Sequence, residues 1–419
     1  MRQLYSLLMY LLTPYLLLRL WWKGRSLPAY RERIAERFSL DNRPAEDVDI
    51  WVHAVSLGEV IAVTPLIDAL LDKQWRILIT TMTPTGAERV KTRFGDKVSH
   101  RYVPYDLPWV LRRFFKKVQP RLGLIVETEL WPNLIHFATQ SDIPLFLINA
   151  RLSDSSCQGY KKIAFLIAPV LNQFNSIFAQ SEDDAKRFKA LGADDFRVVV
   201  LGNMKFDLQT QNINSEVFQK LQESWGKDRS VVMVASTHDD EESQILSRLR
   251  KLQQGLPKMV LLIAPRHPER FQKVYQLSVE QGFNTGLRSK AETLSTDNEV
   301  VVLDSLGELL GFYQIADYAF VGGSLVPVGG HNVLEPIAMQ VPVFSGPEVH
   351  NFKTICRDLE SAHAIELAAN ADDLVERIIA LHQNEEKKKR LINNATLVLE
   401  ANKGAVERYV AKAEGILKV

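Results

Sequence analysis

Three carboxylates and a lysine in the first half of the chain stand where apolar runs give way to turns. Glu59 ends HAVSLGE (His53–Glu59), a segment that leaves a strand and opens a helix. Ligands of open α/β sheets bind at that edge, and a carboxylate there can take a proton from a hydroxyl nucleophile. A first-turn glutamate that only complements the helix dipole is also common, and position alone favours that plainer role. ETELWPN (Glu127–Asn133) brings Glu129 two residues after Glu127. Both fall on one face if the preceding strand continues, and Pro132 then starts a helix. GNMKFD (Gly202–Asp207) carries Lys205 beside a polar stretch. A surface lysine is the ordinary reading; a lysine at a hinge can instead meet a negative charge on a substrate.

The second half offers groups suited to an anion. VGGSLVPVGGHNVLE (Val321–Glu335) holds two Gly-Gly pairs, which let the backbone approach a ligand closely. His331, Asn332 and Glu335 follow at an expected helix start, one turn apart, beside Val333 and Leu334. A glycine turn followed by an Asn-capped helix explains the same letters. APRHPER (Ala264–Arg270) presents Arg266, a guanidinium able to bind a phosphate or carboxylate through paired hydrogen bonds, on a loop stiffened by Pro265 and Pro268. LDSLGELL (Leu303–Leu310) places Gly307, Glu308 and Leu309 at another strand-to-helix junction, where Ser305 and Glu308 also make a capping box. No GxxxxGK[ST] loop, HExxH or DxD-like pair occurs, so a P-loop hydrolase is not expected and nothing demands a metal.

These residues need elements to position them. From Val48 apolar runs alternate with helical periodicity, then the pattern restarts after Asp207–Asp228, read as a linker. Such alternation implies two doubly wound α/β domains, with binding loops at the strand C-termini facing a shared cleft. The expected divisions are an anchor over 1–22, a first domain over 23–205, a second over 206–383, and terminal helices over 384–419 bracing the first. A chain of 419 residues suits that plan. Its net charge of +1 hides an asymmetry. Residues 1–205 carry 28 basic and 21 acidic side chains, residues 206–419 carry 23 and 29. The basic half suits an anionic membrane surface or acidic lipid, and no nucleic-acid partner is expected. Cys157 and Cys356 alone make no disulfide framework.

Leu4–Trp22 is an apolar run ending in Arg19, Trp21 and Trp22, long enough for a short membrane helix that either spans or lies in the surface. Pro14 and Arg19 weaken a clean span. Lys23, Arg25, Arg31, Arg33 and Arg37 follow and predict a cytoplasmic location for the rest. Pro108–Val118 reads as an amphipathic helix. Its basic side, Arg112, Arg113, Lys116 and Lys117, is expected at the membrane surface.

HAVSLGE, ETELWPN, GNMKFD, APRHPER and GGSLVPVGGHNVLEP, in this order behind an apolar anchor, resemble the 3-deoxy-D-manno-octulosonic acid (Kdo) transferases of lipid A biosynthesis over nearly the whole chain. Val55 and Leu57 stand where that family often has Ala or Ser. The resemblance implies a GT-B glycosyltransferase fold. It implies inverting, metal-independent transfer of Kdo from CMP-Kdo to lipid IVA, at the cytoplasmic face of a bacterial inner membrane. Carried over by motif, Glu59 would be the proton acceptor. Glu129 and Lys205 would stabilise the transition state. Pro265, Arg266, Gly307, Glu308, Leu309, Asn332, Val333, Leu334 and Glu335 would hold CMP. The alternatives are a UDP-sugar transferase or epimerase of the same fold, and a non-catalytic membrane-associated binding protein.

Overall fold

The apolar runs form strands because a parallel sheet covered on both faces buries every position of its strands. All four residues of the first strand, β1 (Ile50–His53), are buried. A computed structural model describes the chain except residues 26, 209–214, 227 and 419 and the side chains of 292 and 293. It divides into two units, Met1–Asp207 with Asn402–Val419, and Leu208–Ala401. In the first, β1 is followed by β2 (Ile77–Thr81), β3 (Ser99–Tyr102), β4 (Leu122–Val126), β5 (Leu145–Ala150), β6 (Ser176–Ala179) and β7 (Val198–Val200). They pair in parallel in the order β3-β2-β1-β4-β5-β6-β7. The order reverses direction beside β1, the place where doubly wound sheets bind ligands.

The second unit repeats the plan with β8 (Val231–Thr237), β9 (Val260–Pro265), β10 (Thr285–Leu287), β11 (Val300–Val302), β12 (Tyr318–Val321), β13 (Val343–Ser345) and β14 (Glu366–Leu367). Its parallel order is β10-β11-β9-β8-β12-β13-β14. Each sheet is sandwiched between two clusters of buried apolar side chains.

Several expectations change at this level. Part of the expected linker, 209–214 and 227, lies outside the described residues. The rest holds the helix Ser215–Trp225, whose Phe218, Leu221 and Trp225 are buried. Spacing of three and four residues gives it an apolar stripe after all. Of the terminal helices, only the second braces the first unit. Glu385–Asn402 buries Leu391 in the second unit's core, and Ala405–Leu417 packs on the first sheet through Tyr409, Val410, Ala413 and Leu417. Gly404, at φ +81°, allows the turn between them.

The last helix is tied in by polar contacts. Asp207 accepts from the backbone N–H groups of Gly404 and Val406, both at 2.6 Å. The Tyr409 hydroxyl donates to the carbonyls of Phe178 and Gly202 and accepts from the Asn149 N–H at 3.0 Å. The Asn149 side chain in turn accepts from Met204 N–H. Tyr409 thereby supports the turn that carries Lys205. Tyr409→Phe strands the buried Asn149 N–H, a loss on the order of 1–3 kcal/mol. A lowered midpoint in denaturant unfolding is expected, and an unchanged midpoint contradicts the role.

The apolar N-terminal run forms α1 (Arg2–Lys23), and it is not a core helix, since only Ser6 is buried. Ser6 and Arg2 donate to the Asn133 side-chain Oδ1 at 2.9 and 3.1 Å, and the Arg31 guanidinium donates to the Trp21 backbone carbonyl at 2.9 Å. Both ends are thus fastened to the first unit, while Leu4, Leu8, Leu11, Tyr15, Leu18 and Trp22 remain exposed on the outer side. That arrangement is a helix lying along a domain with an apolar outer face, the pattern of an interfacial anchor. Arg37, expected among the surface charges after the anchor, is instead only 2 % exposed. The basic helix, Pro108–Lys117, is likewise less free than expected. Lys117 pairs with Asp41 at 3.4 Å, Arg113 donates to the Ser39 carbonyl, and Arg112 lies over the Phe137 ring.

Candidate active site

Glu59 sits in the first turn of the helix Leu57–Asp72. Ser56 is the N-cap and its hydroxyl oxygen accepts from the Glu59 N–H at 3.3 Å. The carboxylate reaches back, accepting from the Ser56 hydroxyl at 2.8 Å and from the Val55 N–H at 3.0 Å. This closed loop is a capping box, so the plain structural role is real. Yet the environment is unusual for a cap. Glu59 is 8 % exposed. Burial first, then the charge of Glu129, pushes its pKa up to about 8, with the Ser56 and Val55 hydrogen bonds opposing the rise. A carboxyl group that titrates near neutrality at a strand's C-terminal edge is suited to take and return a proton.

The other acids gather around it, though by a route the alternation argument missed. β4 stops at Val126, and Glu127 adopts a left-handed backbone conformation, φ +56°. A non-glycine residue held there is strained, which is common at functional turns. Glu129 accepts from the Trp131 indole N–H at 2.6 Å, and burial pushes it above the usual carboxylate range. Glu127 faces Arg151 at 3.7 Å. Lys205 lies in the turn Met204–Phe206, with its N–H on the Asn203 side chain. Burial lowers its pKa, Glu127 opposes that and Arg151 adds to it, so Lys205 shares the cluster. Glu59 thus feels the charge of Glu129, and Lys205 that of Glu127, within the first unit.

In the second unit the glycine loop is organised by a residue the motif reading passed over. Glu241 is fully buried. Its carboxylate accepts backbone N–H bonds from His238 (2.9 Å), Gly323 (2.7 Å), Ser324 (3.0 Å) and Leu325 (2.9 Å). Four donors offset the desolvation of one buried charge. A Cβ at Gly322 would fall 2.9 Å from that carboxylate, so only glycine fits there. The signal was the acidic run Asp239–Glu242 just after a strand's C-terminal end.

Beyond this staple, the His238 and His331 rings stack with Nε2 atoms 2.8 Å apart, and His267 meets His238 edge-on. Burial, with Arg266 and the neighbouring imidazoles, brings His331 down to about 4. Asn332 donates to Glu335 at 3.1 Å and accepts from the Leu334 N–H at 3.2 Å, so the two side chains bond each other. The helix it opens, Leu334–Ala338, is only five residues long. Burial raises Glu335, and Arg266 is close enough to oppose that rise. Pro265 ends β9 and Arg266 is exposed beyond it, its N–H on the Thr237 carbonyl. Gly307, at φ +81°, precedes Glu308, which pairs with Arg288 at 2.7 Å and with the Ser305 hydroxyl. Glu308 is thus engaged in holding its own loop.

Two parallel seven-stranded sheets with polar groups at their C-terminal edges define the GT-B fold. The residues 222–398 match the profile of the group 1 glycosyl transferases. A solved glycosyltransferase from Rickettsia africae has the same fold, with a TM-score of 0.59 at 14 % identity over 89 % of this chain and 100 % of that one. The residues 32–208 match the profile of 3-deoxy-D-manno-octulosonic-acid transferase. The chain is 42 % identical to the 3-deoxy-D-manno-octulosonic acid transferase of Haemophilus influenzae, over 91 % of each chain. It is 31 % identical to that of Bordetella pertussis over 99 % of each. The chain belongs to the 3-deoxy-D-manno-octulosonic acid transferase family.

Glu241 gives this site a test. Glu241→Gln replaces two acceptor oxygens by one and points an amide N–H at backbone donors. Faster hydrogen exchange at the amides of Gly323, Ser324 and Leu325 is expected. Exchange at the native rate means that the carboxylate does not hold the loop.

Proposed function

We propose that this Kdo transferase takes the sugar from CMP-Kdo and passes it to lipid IVA, inverting the anomeric centre and releasing CMP. The observation that carries the reading is the state of Glu59, a buried carboxyl raised to about 8 beside Glu129. Glu59 accepts the proton of the acceptor hydroxyl as the new C–O bond forms at the anomeric carbon. The bond to the CMP phosphate breaks, and its electron pair leaves with the phosphate. Glu129 offsets positive charge developing on the sugar, and Lys205 and Arg266 offset the negative charge on the departing phosphate. Asn332 to Glu335, Gly307 to Leu309 and Pro265 hold the nucleotide. The chemistry so written needs no metal.

The acceptor is a lipid, and the outer face of α1 supports action at a membrane surface, here the cytoplasmic face of the inner membrane. This agrees with the basic first half of the sequence.

A base must be ionised to work, so a raised pKa places the working limb high. The value of kcat/KM for transfer is expected to rise with pH through about 8. Glu129→Gln removes the charge that disfavours ionisation of Glu59, and the limb should move to lower pH. A flat profile, or a limb that moves upward, contradicts the assignment. Glu59→Gln keeps a side chain able to complete the capping box. Turnover should fall by roughly 10²–10⁴-fold with the unfolding midpoint retained. Native turnover in a folded Gln variant overturns Glu59 as the base.

A further inference from the structure

The first unit contains a cavity of about 400 Å³ beneath α1 that nothing in the reaction just described uses. Its roof is the inner face of that helix, with Met9, Leu16 and Leu20, and its floor includes Leu130, Ile163 and Leu166. The volume lies in the range of sites that bury small ligands, and the lining is mainly apolar. Arg37 is also in its wall.

Arg37 is the informative residue. Its guanidinium is nearly completely buried, lies 4.2 Å over the Tyr102 ring and donates to the Met82 carbonyl at 3.0 Å. Its Nε has no hydrogen-bond partner among the described residues, and neither has the buried hydroxyl of Tyr105, which lines the same cavity. The adjacent carboxylate is committed elsewhere. Glu36 holds Arg33 at 2.7 Å, Arg43, and the Tyr102 N–H at 3.1 Å. Burial lowers the pKa of Arg37. A buried cation held by one carbonyl and a ring carries a desolvation cost that an incoming anion would offset. Arg19 and Lys23 of α1 add two further positive charges along the same wall.

The cavity also adjoins the acid cluster. Trp131 lines it and donates to Glu129. Tyr160 lines it and feels the charge of Glu129. Met82 and Thr83 line it and donate backbone bonds to Val55, whose own N–H holds Glu59. Whatever fills the cavity rests on the loops that set the two carboxylates.

We propose that this cavity receives an acyl chain of the phosphorylated glycolipid acceptor, with Arg37 binding an acceptor phosphate at its polar end. The proposal rests on the lipid-acceptor reading above. The apolar outer face of α1 lies in the membrane, and its inner face covers the chain drawn from it. Detachment of either end of α1 opens the roof. The helix is thereby part of the acceptor site as well as an anchor.

The test is equilibrium binding of labelled lipid IVA to the full-length protein in detergent micelles, which needs no donor and no turnover. Two variants separate the two ends. Arg37→Met keeps the volume and removes the charge, and Leu166→Trp fills the apolar part. Each should weaken lipid IVA binding by roughly tenfold or more while leaving CMP binding and the thermal midpoint unchanged. A dephosphorylated acceptor should lose the effect of Arg37→Met and keep that of Leu166→Trp. Native affinity in both folded variants overturns the proposal. So does equal displacement of the label by phosphatidylglycerol, which would make the cavity a site for bulk phospholipid. Failure of the wild type to transfer Kdo to a lipid it binds would count against the function proposed above and leave this subsite standing.

Discussion

Carboxylates that accept backbone N–H bonds hold the loops of this protein in place. Glu59 accepts from Val55, the half-buried Asp207 from Gly404 and Val406, and Glu241 from His238 and three successive donors of the glycine loop. Asp106 does the same for Asn133 and Leu134, at the start of the helix that fastens α1. A parallel sheet ends each strand at one edge, and the loops there must turn without a neighbouring strand to satisfy them. An internal anion satisfies several N–H groups at once, and the same bonds oppose its desolvation. Glu59 differs in having only one backbone donor and one hydroxyl, and in sharing its surroundings with Glu129. Burial and the charge of Glu129 raise its pKa to about 8.

The sequence makes the sheets legible where burial is continuous. Leu122–Val126 and Tyr318–Val321 form strands with the bounds their apolar letters suggest. β3 escapes that reading because Ser99–Tyr102 is SHRY, an edge strand whose Arg101 is neutralised by Asp41 and Glu46. β10 and β14 are three and two residues long, too short for any pattern. Of the site, Glu59, Glu129, Lys205, Asn332 and Glu335 were visible as chemistry-bearing residues at strand-to-helix junctions. Glu241, His238 and Arg37 were not. Their roles depend on which distant backbone groups or charges stand opposite, and no local period encodes that.

The N-terminal segment illustrates the same limit. Composition gives an apolar run of membrane length. It does not say that Ser6 and Arg2 meet Asn133, more than a hundred residues away. Those contacts turn a candidate span into a helix with one face on the protein and one face outward. Arg37, formally part of a positive-inside run, is likewise buried in the first unit, over the Tyr102 ring.

We propose that one proton acceptor, Glu59, joins Kdo to lipid IVA in this fold. Mass spectrometry of the product formed from CMP-Kdo and lipid IVA tests it most directly. The account predicts lipid IVA heavier by whole Kdo residues, one CMP released for each residue gained, and no such product from Glu59→Gln. Unmodified lipid IVA after incubation with intact, folded protein would contradict it, as would Kdo transfer undiminished in the Glu59→Gln variant.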